Sequence, residues 1–214
     1  MLKTFNQKLE ELRAGSCAML PAQDLAVLIR SIGRLKRSSI LQQCLEVGET
    51  VPNFIIQDNH RLYDLLEAGH VILNFFRGHW CAYCQTEMAA WKKLEEQLGQ
   101  IKTCYVAISP DTGRSTTDAM VDRTSCSIEF FDRNNALAKL FGLVYQLEEE
   151  EIELFRRWGV ELVKDSGPGK WELPLPATYL VAPNREVVFR FVDADYRVRC
   201  CPEDLMAVLK EETG

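Results

Sequence analysis

The sequence predicts an α/β fold, a mixed central sheet with helices on both faces, preceded by a helical extension. Three observations predict it. Val71-Ile72-Leu73-Asn74-Phe75-Phe76 and Cys104-Tyr105-Val106-Ala107-Ile108 are nearly continuous apolar runs, as strands buried on both faces require. From residue 50 onward strand patterns alternate with helix patterns, the arrangement that stacks helices on a sheet. Before residue 48 the apolar positions recur at helical spacing and no β-rich run occurs.

In chain order, Leu9 and Leu12 mark a first helix, and Leu25, Leu28, Ile29, Ile32 and Leu35 a second that starts near Pro21 and Asp24. Gly48 and Pro52 break the chain, so residues 1–48 form an extension and residues 49–214 the main domain. A short strand at 54–56, a turn at Asp58-Asn59 and a helix at 63–67 lead into the first buried strand at 71–76. A single long helix is expected over 81–98, from Met88, Trp91, Leu94 and Leu98. The second buried strand ends at Ser109-Pro110, followed by a helix near 114–123 and a strand around 128–131. A helix at 136–141 stops at Gly142, and an acidic run from Glu148 opens another to about Trp158. A loop at 167–169, strands at 178–181 and 187–192 joined by Pro183-Asn184, and a helix from Pro202 complete the pattern.

Composition narrows the function. The 214 residues carry a formal charge of −6 with acids and bases mixed, so nothing resembles the clustered basic face of a nucleic-acid binder. No apolar run reaches the roughly 18 residues that span a bilayer, and the charged amphipathic start lacks the features of a secretory signal. A cytoplasmic protein without a membrane role is expected. Eight cysteines stand at irregular positions, which in a cytosolic chain points to redox chemistry or metal at the close pair.

That pair is Cys81 and Cys84, placed where the first buried strand hands over to a helix. Free N–H groups and the helix dipole stabilise anions there and lower a thiol pKa. Two intervening residues let the sulfurs bond reversibly, and Arg77 supplies a permanent nearby charge. His79 is read as tuning the site, and Trp80 as packing against the sulfurs. Two packed core thiols, or a zinc site, are the competing readings. Zinc lacks a second ligand pair with finger-like spacing, so no metal and no cofactor is expected. Cys104 reads as core, and Cys126 as a possible extra resolving thiol. Cys17, Cys44, Cys200 and Cys201 carry no motif. His60 and His70 read as loop residues, and Glu87 as a helix-surface or capping group.

Trp80-Cys81-Ala82-Tyr83-Cys84 resembles the thioredoxin active-site motif. The fuller string from Phe76 to Cys84, with Val51-Pro52-Asn53-Phe54, resembles the alkyl hydroperoxide reductase / thiol-specific antioxidant family, and within it a peroxiredoxin-like branch with an Arg-Gly-x-Trp-Cys-x-Tyr-Cys signature. The resemblance continues through Ala107-Ile108-Ser109-Pro110, Phe141-Gly142-Leu143-Val144, the stretch from Trp171 to Tyr179 and Phe191-Val192-Asp193, covering about residues 48 to 212. It implies a thioredoxin-like fold. It also implies a thiol-dependent peroxidase cycling between a Cys81/Cys84 dithiol and disulfide, reset by a thioredoxin- or glutaredoxin-type reductant.

Departures from the family pattern leave alternatives open. On the motif Pro-x-x-x-Thr-x-x-Cys, Cys84 takes the peroxide-attacking place, with Cys81 where threonine stands and Arg77 where proline stands. Thioredoxin logic makes Cys81 the attacker instead. Pro176 occupies the place of the family's distant arginine and resembles the cis-proline that lies beside a thioredoxin disulfide. A disulfide substrate, a redox sensor or binding module, and a homodimer are further readings the sequence allows.

Overall fold

The structure, a computed structural model, describes residues 3–57, 60–110, 127–160, 162 and 171–213. The expected turn at Asp58-Asn59, the helix near 114–123, the loop at 167–169 and Cys126 lie outside the described residues.

Three helices open the chain: α1 (Phe5–Met19), α2 (Ala22–Arg37) and α3 (Ile40–Gln43). Thr4 begins α1 with a capping box, its hydroxyl accepting the Gln7 N–H while the Gln7 side chain accepts the Thr4 N–H. A small antiparallel pair, β1 (Ile55–Gln57) and β2 (His60–Arg61), leads through α4 (Leu62–Ala68) to β3 (His70–Phe75). Then follow α5 (Ala82–Lys92), α6 (Glu95–Gln100), β4 (Thr103–Ser109) and β5 (Ser127–Phe131). After α7 (Ala136–Leu140) come β6 (Val144–Gln146), α8 (Glu149–Arg157), β7 (Glu172–Pro174), β8 (Ala177–Val181), β9 (Val187–Val192) and α9 (Pro202–Thr213).

The main sheet has the order β5-β4-β3-β8-β9. β3, β4 and β5 run parallel, and β8 is antiparallel to both β3 and β9. This is the mixed, helix-covered sheet the sequence predicts. Because side chains alternate along a strand, β3 feeds two cores. Val71, Leu73 and Phe75 join Leu66, Leu137, Phe141, Phe155 and Tyr179 on one face. Ile72 and Phe76 join Trp91, Leu98, Leu205 and Leu209 on the other.

The extension serves both faces. Phe5 and Leu9 of α1 pack into the second core, while Leu35 of α2, with Ile40 and Cys44 behind it, packs into the first. Its apolar stripes therefore cover this chain's own sheet. Ion pairs fasten α2 along α8: Asp24 to Arg157 at 2.6 Å, Arg30 to Glu150 at 2.5 Å and Arg34 to Glu151 at 2.7 Å. Glu151 is buried, and its carboxylate also accepts the Ser31 hydroxyl and the Glu148 N–H.

Two expectations need correction, and one strand pair was not expected. The helix expected over 81–98 is broken into α5 and α6. Lys93 and Leu94 donate to Ala90 and Trp91, tight three-residue bonds that end the first helix. His60 and His70 open β2 and β3 and are not loop residues. β6 and β7 pair with each other outside the main sheet. At three residues each, with Pro174 in one, they carry too little pattern to read as strands.

Glu151→Ala removes an acceptor that three groups share and leaves buried donors unpaired. It is expected to destabilise the protein by about 2 kcal/mol, read from the midpoint of urea unfolding. An unchanged midpoint would show that α2 is held by its apolar face alone.

Candidate active site

β3 leaves the sheet after Phe75, with the Phe76 N–H still bonded to Ile108 O at 2.9 Å. The chain reverses at Gly78, whose φ of 152° suits glycine. The Cys81 N–H then donates to Gly78 O at 3.1 Å, and Cys81 becomes the residue that caps the start of α5. Cys84 lies one turn on. Both sulfurs thus sit at the positive end of a helix that the sheet holds in place.

Their surroundings differ. Cys81 is 4% exposed and lines a pocket of about 710 Å³, whereas Cys84 is fully buried and does not reach it. The pocket walls come from α1 (Ser16, Cys17, Met19), α2 (Leu25, Leu28) and the end of α8 (Phe155, Trp158). The extension is therefore part of the site, a role its sequence did not announce.

Arg77 is 3% exposed at the base of this pocket. Its guanidinium lies 4.2 Å from the ring centre of Tyr196, 4.9 Å from that of Trp80 and 5.5 Å from that of Phe155. Among the described residues no carboxylate pairs with it, and its Nε has no hydrogen-bond partner. Trp80 packs against Phe155, with ring centres 5.4 Å apart. His79 pairs with Glu129 of β5.

Behind Cys84 lies a buried polar network. Arg199 Nη2 donates to Cys84 Sγ at 3.2 Å, and its Nε is 3.1 Å from Glu87 Oε2. Glu87 Oε1 accepts from Asn74 Nδ2 at 2.9 Å, and Asn74 also bonds Thr178 Oγ1 at 3.0 Å. Glu87 is thus not the surface group expected of it. It falls on the sheet-facing side of α5, where Asn74 donates to it and Arg199 forms an ion pair with it.

These contacts separate the two thiols. The hydrogen bond from the Cys84 thiol is the largest influence on Cys81. It outweighs burial, and with the charges of Arg77 and Arg199 it lowers the Cys81 pKa to about 5. Burial first, then the Cys81 sulfur, push Cys84 well above the ordinary thiol range. The surroundings thus favour the thiolate on Cys81 over Cys84.

The structure brings Cys81, Cys84, Arg77 and Trp80 together. Pro176 departs from expectation: among the described residues no peptide bond is cis, so the bond before it is trans. Trans is the favoured form of such bonds, and no turn demands otherwise. Leu175 still pairs to Leu143 O at 2.8 Å, and Ala177 already pairs with Phe75. Pro176 bridges two sheets at a point where no ladder donor is needed.

Sequence reasoning missed Arg199 and Tyr196. Both lie in the segment between β9 and α9, which has no periodicity, and a loop arginine reads as exposed by default. The one available signal was the adjacency of Arg199 to Cys200-Cys201, which itself carried no motif. Cys200 is buried and Cys17 exposed, and no disulfide joins any of the seven described cysteines. Among the described residues no cluster of His, Cys, Asp and Glu could hold a metal ion, and no helix is long and apolar enough to cross a membrane.

Comparison with known proteins is decisive for the family. Residues 47–190 match the AhpC/TSA family model. The chain belongs to the AhpC/TSA family. Among curated relatives, 1-Cys peroxiredoxin A of Oryza sativa subsp. japonica is 26% identical over 151 residues, 69% of this chain and 64% of that protein. Of solved structures, peroxidoxin BcpB from Mycobacterium tuberculosis superposes with a TM-score of 0.56 at 20% identity, over 78% of this chain and 97% of that one. The yeast mitochondrial 1-Cys peroxiredoxin gives a TM-score of 0.56 at 16% identity, over 78% and 75%. The fold is thioredoxin-like. Residues 1–46 lie outside the family match.

Alkylation of Cys81 by iodoacetamide should be half-maximal near pH 5 and flat through neutrality. Arg77→Met should move that midpoint upward by about one unit or more, since an opposing charge nearby favours the thiolate. A wild-type midpoint near the ordinary thiol value of about 8.5 would contradict the assignment.

Proposed function

We propose that this protein is a thiol-dependent peroxidase of the cytoplasm that reduces hydroperoxides through a Cys81–Cys84 dithiol cycle, with Cys81 attacking first. The observation that carries this reading is the asymmetry of the pair: a thiolate on the pocket wall, backed by a sealed thiol. Family membership favours peroxide over disulfide as substrate.

The Cys81 thiolate attacks the distal oxygen of the hydroperoxide. An S–O bond forms, the O–O bond breaks, and the departing alkoxide takes a proton to leave as alcohol. The hydroperoxide proton stays on the new Cys81 sulfenic acid. Cys84 then displaces that oxygen as water, giving the Cys81–Cys84 disulfide. Arg77 stabilises the attacking thiolate, Trp80 keeps water from it, and Arg199 stabilises the Cys84 thiolate whenever it forms. Pro176 keeps a secondary, structural place at the strand junction. A thioredoxin- or glutaredoxin-type dithiol would restore the pair.

A second reading rests on one specific contact. Arg199 against Cys84 Sγ, with Glu87 beyond it, suits Cys84 as the attacker in the family's own register. Its complete burial opposes that role.

Stopped-flow oxidation separates the outcomes. Cys81→Ser should lose reaction with hydrogen peroxide by several orders of magnitude. Cys84→Ser should keep a first fast oxidation, stop at sulfenic acid and never form the disulfide. The reverse pattern would make Cys84 the attacker. If wild-type oxidation is no faster than that of a free thiol while a protein disulfide is reduced efficiently, the substrate is a disulfide instead.

A further inference from the structure

Among the described residues, the buried charges beside the two sulfurs balance only in the reduced protein. Arg77 and Arg199 are buried cations; the Cys81 thiolate faces them, as does the Glu87 carboxyl, which burial pushes up while the ion pair with Arg199 and the Asn74 hydrogen bond pull it back down. The other charged groups at the pocket are already engaged: Arg197 is bound at 2.8 Å by both oxygens of Asp195, and His79 pairs with Glu129. Tyr145 and Tyr196, which lie near Arg77, have their ionisation pushed up by burial and are neutral. When Cys81 and Cys84 join, the thiolate disappears. Glu87 remains committed to Arg199, and Arg77 is left as a buried guanidinium with an unpartnered Nε and, among the described residues, no carboxylate. An isolated buried charge is strongly unfavourable unless an anion reaches it. Arg77 lines the 710 Å³ pocket, which admits a molecule of several heavy atoms.

We infer that the oxidised pocket is an anion site centred on Arg77, and that it selects a small carboxylate-bearing thiol as a direct reductant of the Cys81–Cys84 disulfide. This rests on the dithiol cycle proposed above and goes beyond it by naming the charge class of a reductant. The carboxylate enters the space between Tyr196 and Trp80 and pairs with Arg77. The thiolate of the same molecule attacks Cys81 Sγ, the sulfur on the pocket wall. A new S–S bond forms to Cys81 while the Cys81–Cys84 bond breaks, and Cys84 leaves as a thiolate beside Arg199 Nη2. A second thiol molecule attacks the mixed disulfide, releases the symmetrical small disulfide and returns the Cys81 thiolate. Two thiols are oxidised and one protein disulfide is reduced. The restored thiolate then competes with the carboxylate for Arg77, so the spent reductant is expelled.

The test uses full-length protein oxidised with diamide, which forms the disulfide without peroxidase turnover, and peptide mapping verifies the bond. Reduction is then timed with three thiols of similar size: 3-mercaptopropionate, 2-mercaptoethanol and cysteamine. Each rate is divided by the rate of the same thiol with the neutral bis(2-hydroxyethyl) disulfide, which removes intrinsic reactivity. The expected order is mercaptopropionate, mercaptoethanol, cysteamine, with the first about tenfold above the last, a ratio corresponding to roughly 1.4 kcal/mol. Sodium propionate at constant ionic strength should slow mercaptopropionate and should raise the melting temperature of oxidised, not reduced, protein. Equal normalised rates, or a preference for cysteamine, would overturn the inference, as would equal propionate effects on both redox states. If mapping finds no Cys81–Cys84 bond, the dithiol cycle itself fails and the anion site falls with it. Normal bond formation without charge selectivity leaves the cycle standing and removes only the anion site.

Discussion

The contact on which the rest of this structure depends is that between the Cys81 sulfur and the cationic base of its pocket. A thiolate in a nearly closed site is tolerable only if fixed dipoles and charges replace water around it. Four parts of the chain supply them. The start of α5 offers its dipole, Cys84 offers a hydrogen bond, and Arg77 and Arg199 bring charge from the end of β3 and from the segment before α9. None of these groups is free to move far, because each is anchored to the sheet or to a packed helix. Reactivity here is a consequence of rigidity.

Arg77 is unusual in how it is kept. Aromatic rings, not carboxylates, surround its guanidinium. Ring faces stabilise a cation without neutralising it, so its charge stays directed at the sulfur. A carboxylate partner would have cancelled that field. Arg199 is held in the opposite way, by Glu87, and its direct contact is with Cys84. Both arginines favour the Cys81 thiolate, and Arg199 alone also donates to the Cys84 sulfur, which fits a cycle in which the sulfurs carry charge at different steps. The extension completes the design by walling the pocket with α1 and α2, and the ion pairs to α8 keep that wall in position.

The sequence carried the frame of this account and left out much of its chemistry. The buried strands, the strand-to-helix handover and the Cys81/Cys84 pair were all readable, because each is encoded by neighbouring residues. Arg77 was readable for the same reason, being four residues before Cys81. Arg199 was not, since it reaches Cys84 across 115 positions of sequence from a segment without periodicity. Glu87 was misjudged because α5 is apolar or small on most sides, and only the tertiary fold decides which side meets Asn74. The trans bond at Pro176 shows the limit of analogy: a proline before a strand had a structural reason that its resemblance to another site did not convey. The pocket could not be seen at all, as its walls come from three helices that the sequence gives no cause to assemble.

One measurement bears most directly on the central claim. Reduced protein would be exposed to less than one equivalent of hydrogen peroxide in the presence of a sulfenic-acid trapping reagent, and the labelled peptide identified by mass spectrometry. The account predicts that the trapped label sits on Cys81, with Cys84 unmodified or found only in disulfide to Cys81. Label on Cys84 with Cys81 left reduced, or label spread evenly over the protein's cysteines, would contradict it.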